Sequence, residues 1–190
     1  HAQAAEILNL VCDNLIVLNK EKKHMIERAL NIAARKEYVE FLLQITKSHP
    51  ELILSADTLH SFFFKAVANR KAEIVNLLHG FRFKHVVATI KDMPGSNSLL
   101  HVAAMLAPTS YLNGISGAAL QMQSELQWFK AVESIVDPIF WANNTNREGL
   151  NPLDYFKEKH KELRNEGEKW MKETSSSCSV VGALIVTIMF

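Results

Sequence analysis

The chain is predicted to be all-α, a solenoid of short helical hairpins stacked side by side, on three observations. Apolar residues recur at helical spacing through nearly the whole of its 190 residues. Proline, glycine and short polar clusters break that pattern every ten to twenty residues or so. Similar helix openings also recur at intervals near 33 residues, the mark of a repeat in which each unit buries its apolar face only against its neighbours. With 48% hydrophobic and 22% charged residues the chain has ample material for one core, as one domain or one short repeat array.

The elements follow in order. Residues 1–24 form an N-terminal helix and turn: Ile7, Leu8, Leu10, Val11, Leu15, Ile16 and Leu18 give a wide buried face, and Lys20 to Lys23 a solvated turn. The repeat array spans 25–156. Its first hairpin pairs Met25–Ala34 with Tyr38–Thr46, and Pro50 stops the second helix because it cannot continue one. The second hairpin pairs Phe62–Ala68 with Ala72–His79 and ends at Gly80. Phe83–Lys91 is a short amphipathic piece, and Asp92 to Asn97 a turn by composition. Leu99–Met105 is a short helix and Ala107–Gly117 a loop. Ala118–Val136 is expected to be the longest helix, burying Leu120, Leu126, Phe129, Val132, Ile135 and Val136 on one face. Residues 157–173 follow as an exposed charged helix with six Lys/Arg against five Glu, and residues 174–190 as an uncharged apolar run.

Three spacings set the repeat register. Leu30 and Phe63 are 33 positions apart, Leu100 lies 37 beyond Phe63, and Leu153 lies 53 beyond Leu100. The long last interval implies an insertion at about 106–136, made of the loop and the long helix. Ser98 and Asn151 can cap helix N-termini, and Pro152 falls at a first helical position, where its missing N–H costs nothing. Ala33–Ala34 and Ala103–Ala104 allow close approach between helices, while Leu100, Ile74, Val75, Leu77 and Leu78 fill the space between repeats.

These residues resemble the ankyrin repeat, whose signature is a turn, Thr-Pro-Leu-His, paired alanines, then Glu-Ile-Val and paired leucines. Ser98-Leu99-Leu100-His101-Val102-Ala103-Ala104 is similar to the first helix, and Ala72-Glu73-Ile74-Val75-Asn76-Leu77-Leu78 to the second. Asn146 to Asp154, with Gly149, Pro152 and Leu153, matches the turn and the next helix opening. The unit at Leu30, with Ala33 and Ala34, and the unit at Phe63, with Ala66, are weaker copies; Thr58-Leu59-His60 imitates the motif, but the spacing to Glu73 favours Phe63. The resemblance extends to words no ankyrin consensus dictates: Asn113 to Gln123, Glu125 to Lys130, Phe156 to Leu163, and Gly167 to Thr174 running into Val180 to Ile185. They are similar to plant ankyrin-repeat membrane proteins with a C-terminal Pro-Gly-Gly domain, related to the accelerated-cell-death and salt-tolerance proteins. The Pro-Gly-Gly motif itself is not in the chain.

The resemblance implies a membrane-tethered module that binds protein partners in plant defence or stress signalling, at the plasma membrane with its repeats cytoplasmic, and open to self-association. The apolar run fits the start of a transmembrane helix: the twelve residues from Ser179 to Phe190 reach about 18 Å, short of the roughly 30 Å a span needs. A buried C-terminal helix or strand is the alternative. In the membrane reading Trp170 lies at headgroup depth, and Cys178 is a candidate for reversible acylation. Two other functions stay open, a regulatory cytoplasmic part of a channel or transporter and a soluble adaptor.

No catalytic residue is assigned, because no phosphate loop, HExxH, GxSxG or kinase signature is present. No cofactor is expected. The two cysteines, Cys12 and Cys178, lack metal spacing and sit near opposite ends, so Cys12 reads as a buried free thiol. A net charge of +1 argues against a nucleic-acid surface. His101 reads as the repeat's turn histidine, bonded to backbone. Glu125, Glu133 and Asp137 read as a solvated face. Trp128 and Phe129 are the candidate partner contacts, with core packing as the alternative.

Overall fold

A computed structural model describes residues 24–25, 28–30, 32–33, 38–48, 60–80, 91–92, 96–136 and 144–189. The expected N-terminal helix, the piece at Phe83–Ile90, the decoy Thr58-Leu59, Cys12, Ala34, Asp137 and the side chain of Leu77 lie outside what it describes. Among the described residues the chain is helical with no strand; an isolated antiparallel bridge joins Lys91 to Ser98. Residues 28–30 and 32–33 are helical, followed by α1 (Val39–Ser48). A π-helical turn, His60–Phe64, runs into α2 (Lys65–Ala68), and α3 (Ala72–Gly80) returns against it. Then come α4 (Leu99–Ala103), α5 (Thr109–Leu112), α6 (Ala118–Glu133), α7 (Pro152–Lys159) and α8 (Lys161–Met189).

The helices pool one continuous core. Leu30, Phe63 and Leu100, the residues that set the expected register, are all fully buried in a single cluster with Leu42, Val67, Leu78, Phe129, Val132 and Phe156. The short α4 is the hub, because five consecutive residues, Leu99 to Ala103, are buried on every side. It packs against the π-helical turn, α2, α6 and α7. Small residues permit this: Ala103 and Ala104 are fully buried, so neighbouring backbones can close on α4 with little side chain between them.

Five expectations about the insertion and the C-terminal region need correction. The loop after α4 contains a helical turn, α5, and α6 ends at Glu133 rather than Val136. The longest described helix is α8, with 29 residues, which joins the charged stretch and the apolar run without a break. Leu120 and Leu126 on α6 are 48% and 43% exposed, while Phe129 and Val132 on it and Ile135 and Val136 just past its end are buried as anticipated. The inward face of α6 instead begins at Glu125, followed at helical spacing by Phe129 and Val132. Glu125 is fully buried, so it does not belong to a solvated face.

Two glycines set how α8 lies on α6. A Cβ on Gly167 would sit 3.2 Å from Ala119 Cα and 3.4 Å from the Ala118 carbonyl oxygen, so only a residue without a side chain lets the two backbones approach this closely. Gly117, ahead of α6, has φ +87°, and a Cβ there would meet the Trp170 ring at 3.2 Å. Trp170 is thus laid over the start of α6. Beyond it α8 is exposed along its whole length, including Val180, Val181, Leu184, Ile185, Val186 and Ile188. No helix among the described residues is long and apolar enough to cross a membrane.

Candidate interaction surface

The polar turns ahead of α4 and α7 lie side by side and are built alike. In the first, the Asp92 carboxylate accepts from the Asn97 backbone N–H at 2.6 Å, and the Asp92 N–H donates to the Asn97 carbonyl at 2.8 Å. In the second, Asn146 Oδ1 accepts from the N–H groups of Glu148 and Leu150, and Gly149 turns the chain at φ +75°. Three contacts link them: Asn146 Nδ2 donates to Asn97 Oδ1 at 3.4 Å, Lys91 Nζ donates to the Thr145 carbonyl at 3.4 Å, and His101 Nε2–H donates to the Leu150 carbonyl at 3.0 Å.

His101 spans the two turns because its other nitrogen is already committed. The Ser98 hydroxyl donates to Nδ1 at 2.8 Å, the Ser98 N–H reaches the same nitrogen at 3.2 Å, and Ser98 Oγ accepts from the His101 N–H. This reciprocal cap of α4 uses His where Glu or Gln usually stands. The ring is fully buried, and burial pushes its pKa below the ordinary imidazole value, against the opposing pull of the Leu150 carbonyl. Asn151 caps α7 by accepting from the Asp154 N–H at 2.8 Å, with Pro152 at the first helical position. The Lys157 ammonium and Asn151 amide hold the exposed Asp154 carboxyl below its usual range.

Behind the turns lies an ionic cluster. Arg70, in the turn between α2 and α3, forks onto Glu125, with Nε donating at 3.0 Å and Nη2 at 2.7 Å; both side chains are fully buried. Glu125 Oε2 also accepts from the Ala107 N–H and from His160 Nε2, each at 2.9 Å. Burial alone would raise the Glu125 pKa, but bonds from His160 and Arg70, the guanidinium charge and the Ala107 N–H together hold it down. Arg70 also donates to the carbonyls of Val67 and Met105, at 3.1 Å and 2.7 Å. The cluster therefore ties the insertion and the start of α8 to the second hairpin.

The remaining residues singled out in the sequence are accounted for as follows. Ala33, Ala66, Ile74, Val75 and Leu78 are buried in the core, and Leu153 is half-buried against it. Glu73 is exposed on α3. Phe129 is fully buried, its ring 4.9 Å from that of Phe156, and so is not available to a partner. Trp128 is half-buried with the Arg70 guanidinium 5.6 Å from its ring, and its indole N–H lacks a hydrogen-bond partner. Cys178 is an exposed free thiol. No group of three or more His, Cys, Asp or Glu among the described residues could hold a metal ion.

Arg70 and His160 are the residues that sequence reasoning passes over. Arg70 lies 55 positions from Glu125 and His160 lies 35, so no local pattern pairs them. Comparison with family models, with curated proteins and with solved structures finds no match for this chain.

Proposed function

We propose that this chain is a membrane-tethered, ankyrin-type protein-interaction module, with the stacked turns ahead of α4 and α7 on its recognition side. One observation carries the module: Leu30, Phe63 and Leu100, which define the repeat register, are each fully buried in one shared core. That is what a stack of hairpins requires, because an isolated pair has no second surface on which to bury them. The lateral bond from His101 to Leu150 supports the same reading, since it joins corresponding turns of successive units. The resemblance in the linker words adds the plant stress and defence setting.

The tether rests on the far end of α8. From Val180 to Met189 it presents a run of exposed apolar side chains with no described element packed on it, and it continues a helix that is polar and charged over its first half. Such a run is costly to leave in water, and a bilayer would cover all sides of it at once. Carbonate-resistant co-flotation of the full chain with phosphatidylcholine vesicles tests this. The parent chain is expected to float, and Val181→Asp/Ile185→Asp to remain in the load fraction. A parent chain that stays fully soluble and monomeric beside the vesicles removes the tether.

A further inference from the structure

Residues 102–124 include no Asp, Glu, Lys or Arg, although 22% of the chain is charged. They form the end of α4, α5, the tip at 113–116 and the first two turns of α6. Tyr111 and Leu120 are exposed there and Ile115 is half-buried, and neighbouring exposed side chains such as Ser110, Asn113 and Ser116 are polar and neutral. The loop also satisfies its own backbone. The N–H groups of Tyr111, Leu112, Asn113, Gly114 and Ile115 all bond to carbonyls within it. Gln121 Nε2 donates to the Leu112 and Ile115 carbonyls, at 3.0 Å each. A surface without charge and with its backbone groups paired gives up water at low cost.

This surface stands at the end of the body from which α8 leaves. The two long helices run antiparallel: His160 reaches Glu125, Gly167 lies against Ala118 and Ala119, and Trp170 lies against Gly117. Tyr111 joins the same end of α6 through its hydroxyl, 3.2 Å from Ser124 Oγ. Beyond Trp170 the chain continues as part of one unbroken helix of 29 residues, so no loop lets the body swing away from the far end. Lys172 and Glu173 are the last charged residues on it, and from Thr174 onward it is uncharged. Trp170 precedes Thr174 by four residues, about 6 Å of helix rise. The headgroup layer on each side of a bilayer is about 5–8 Å deep, half the difference between the full thickness and the hydrocarbon core. A bilayer that receives α8 from Thr174 therefore brings its headgroups level with Trp170 and Gly117.

We infer that this neutral end of the body, centred on Tyr111, Ile115 and Leu120, is a second membrane contact that lies in the headgroup layer of the bilayer holding α8. The contact depends on the tether proposed above, and it turns a defined end of the module to the lipid. Aromatic side chains with a polar tip, such as Tyr111 and Trp170, favour that layer. With no charge on the surface, the contact works by burial rather than by attraction to anionic lipid, so zwitterionic phosphatidylcholine suffices. A second copy of the chain is the competing occupant. Continuity with the uncharged part of α8 favours lipid.

Hydroxyl-radical footprinting of the full chain, with and without phosphatidylcholine vesicles, decides it when read beside flotation. The chain is expected to float, with labelling of Tyr111 and Leu120 largely lost on the vesicles while that of Tyr38, exposed just ahead of α1, is unchanged. A chain that floats with Tyr111 and Leu120 labelled as in water overturns the contact and leaves the tether standing. A chain that does not float removes both. Loss of labelling without vesicles, growing with protein concentration, assigns the surface to a second copy and likewise overturns the proposal. Ser116→Glu/Leu120→Glu sets charge at two exposed positions and leaves α8 untouched. That variant should still float and regain the Tyr111 labelling seen in water, and protection of Tyr111 equal to the parent's would refute the contact.

Discussion

Arg70 shows how side-chain chemistry can override a backbone preference. The turn after α2 is a Schellman motif: the Lys71 N–H bonds to the Ala66 carbonyl and the Arg70 N–H to the Val67 carbonyl, placing Arg70 in the left-handed region at φ +57°. Glycine is the usual occupant, and a residue with a Cβ costs about 1 kcal/mol there. Judged by the turn alone, Arg70→Gly should stabilise the protein. But removing one partner of a buried ion pair costs about 3–5 kcal/mol, because the other charge is left uncompensated. The ion pair outweighs the turn, so Arg70→Gly is expected to lose about 2–4 kcal/mol net, read as a lower urea midpoint at unchanged slope. A midpoint equal to or above that of the parent would show that Glu125 does not depend on Arg70. Glu125 adds a pH dependence of known sign. Its pKa is held below the ordinary carboxylate value, so its contribution is complete above that value and is lost as pH falls through the folded one.

At the scale of elements, local signals were legible and long-range pairing was not. Ser98 and Asn151 cap the helices expected of them, and Pro152 stands at a first helical position. Each depends on residues within a few positions. The orientation of α6 was missed because leucines are ordinarily the inward residues and a glutamate the outward one. Here Glu125 enters the core with its partners, which turns Leu120 and Leu126 outward. The glycine contact was equally hidden, since Gly167 in a charged stretch reads as a weak point in a helix rather than as a docking surface. It carries a prediction. Gly167→Leu should improve the intrinsic helix preference of α8 yet separate it from α6, because the added carbons meet the backbone at Ala118–Ala119. The expected outcome is a loss of about 1–3 kcal/mol together with faster hydrogen exchange at residues 161–170. Greater stability with unchanged exchange would show that α8 does not pack through this glycine.

For the molecule as a whole, the question is whether the hairpins are independent or form one cooperative body. The core cluster runs from Leu30 to Phe156, and α4 touches elements on both sides of it, so no boundary divides the apolar contacts. That Leu30, Phe63 and Leu100 all turn inward was legible, because each stands on the apolar stripe of its own helix. How the helices close on one another was hidden, because it runs through Glu125, whose partners Arg70 and His160 lie 55 and 35 positions away. Leu100 is the position where cooperativity can be tested, since it is fully buried in the hub helix. Leu100→Asp would place an ionised carboxylate in the shared apolar core, a penalty of several kcal/mol or more. Domains of this size hold a margin of about 5–15 kcal/mol, so one such charge removes much of it. Because α4 is shared, the loss should appear as one lowered transition in which helical circular dichroism and the exchange protection of α2, α4 and α6 disappear together. An unchanged melting temperature would contradict the placement of Leu100. Two separated transitions, with the α2–α3 hairpin surviving the first, would show that the units fold on their own.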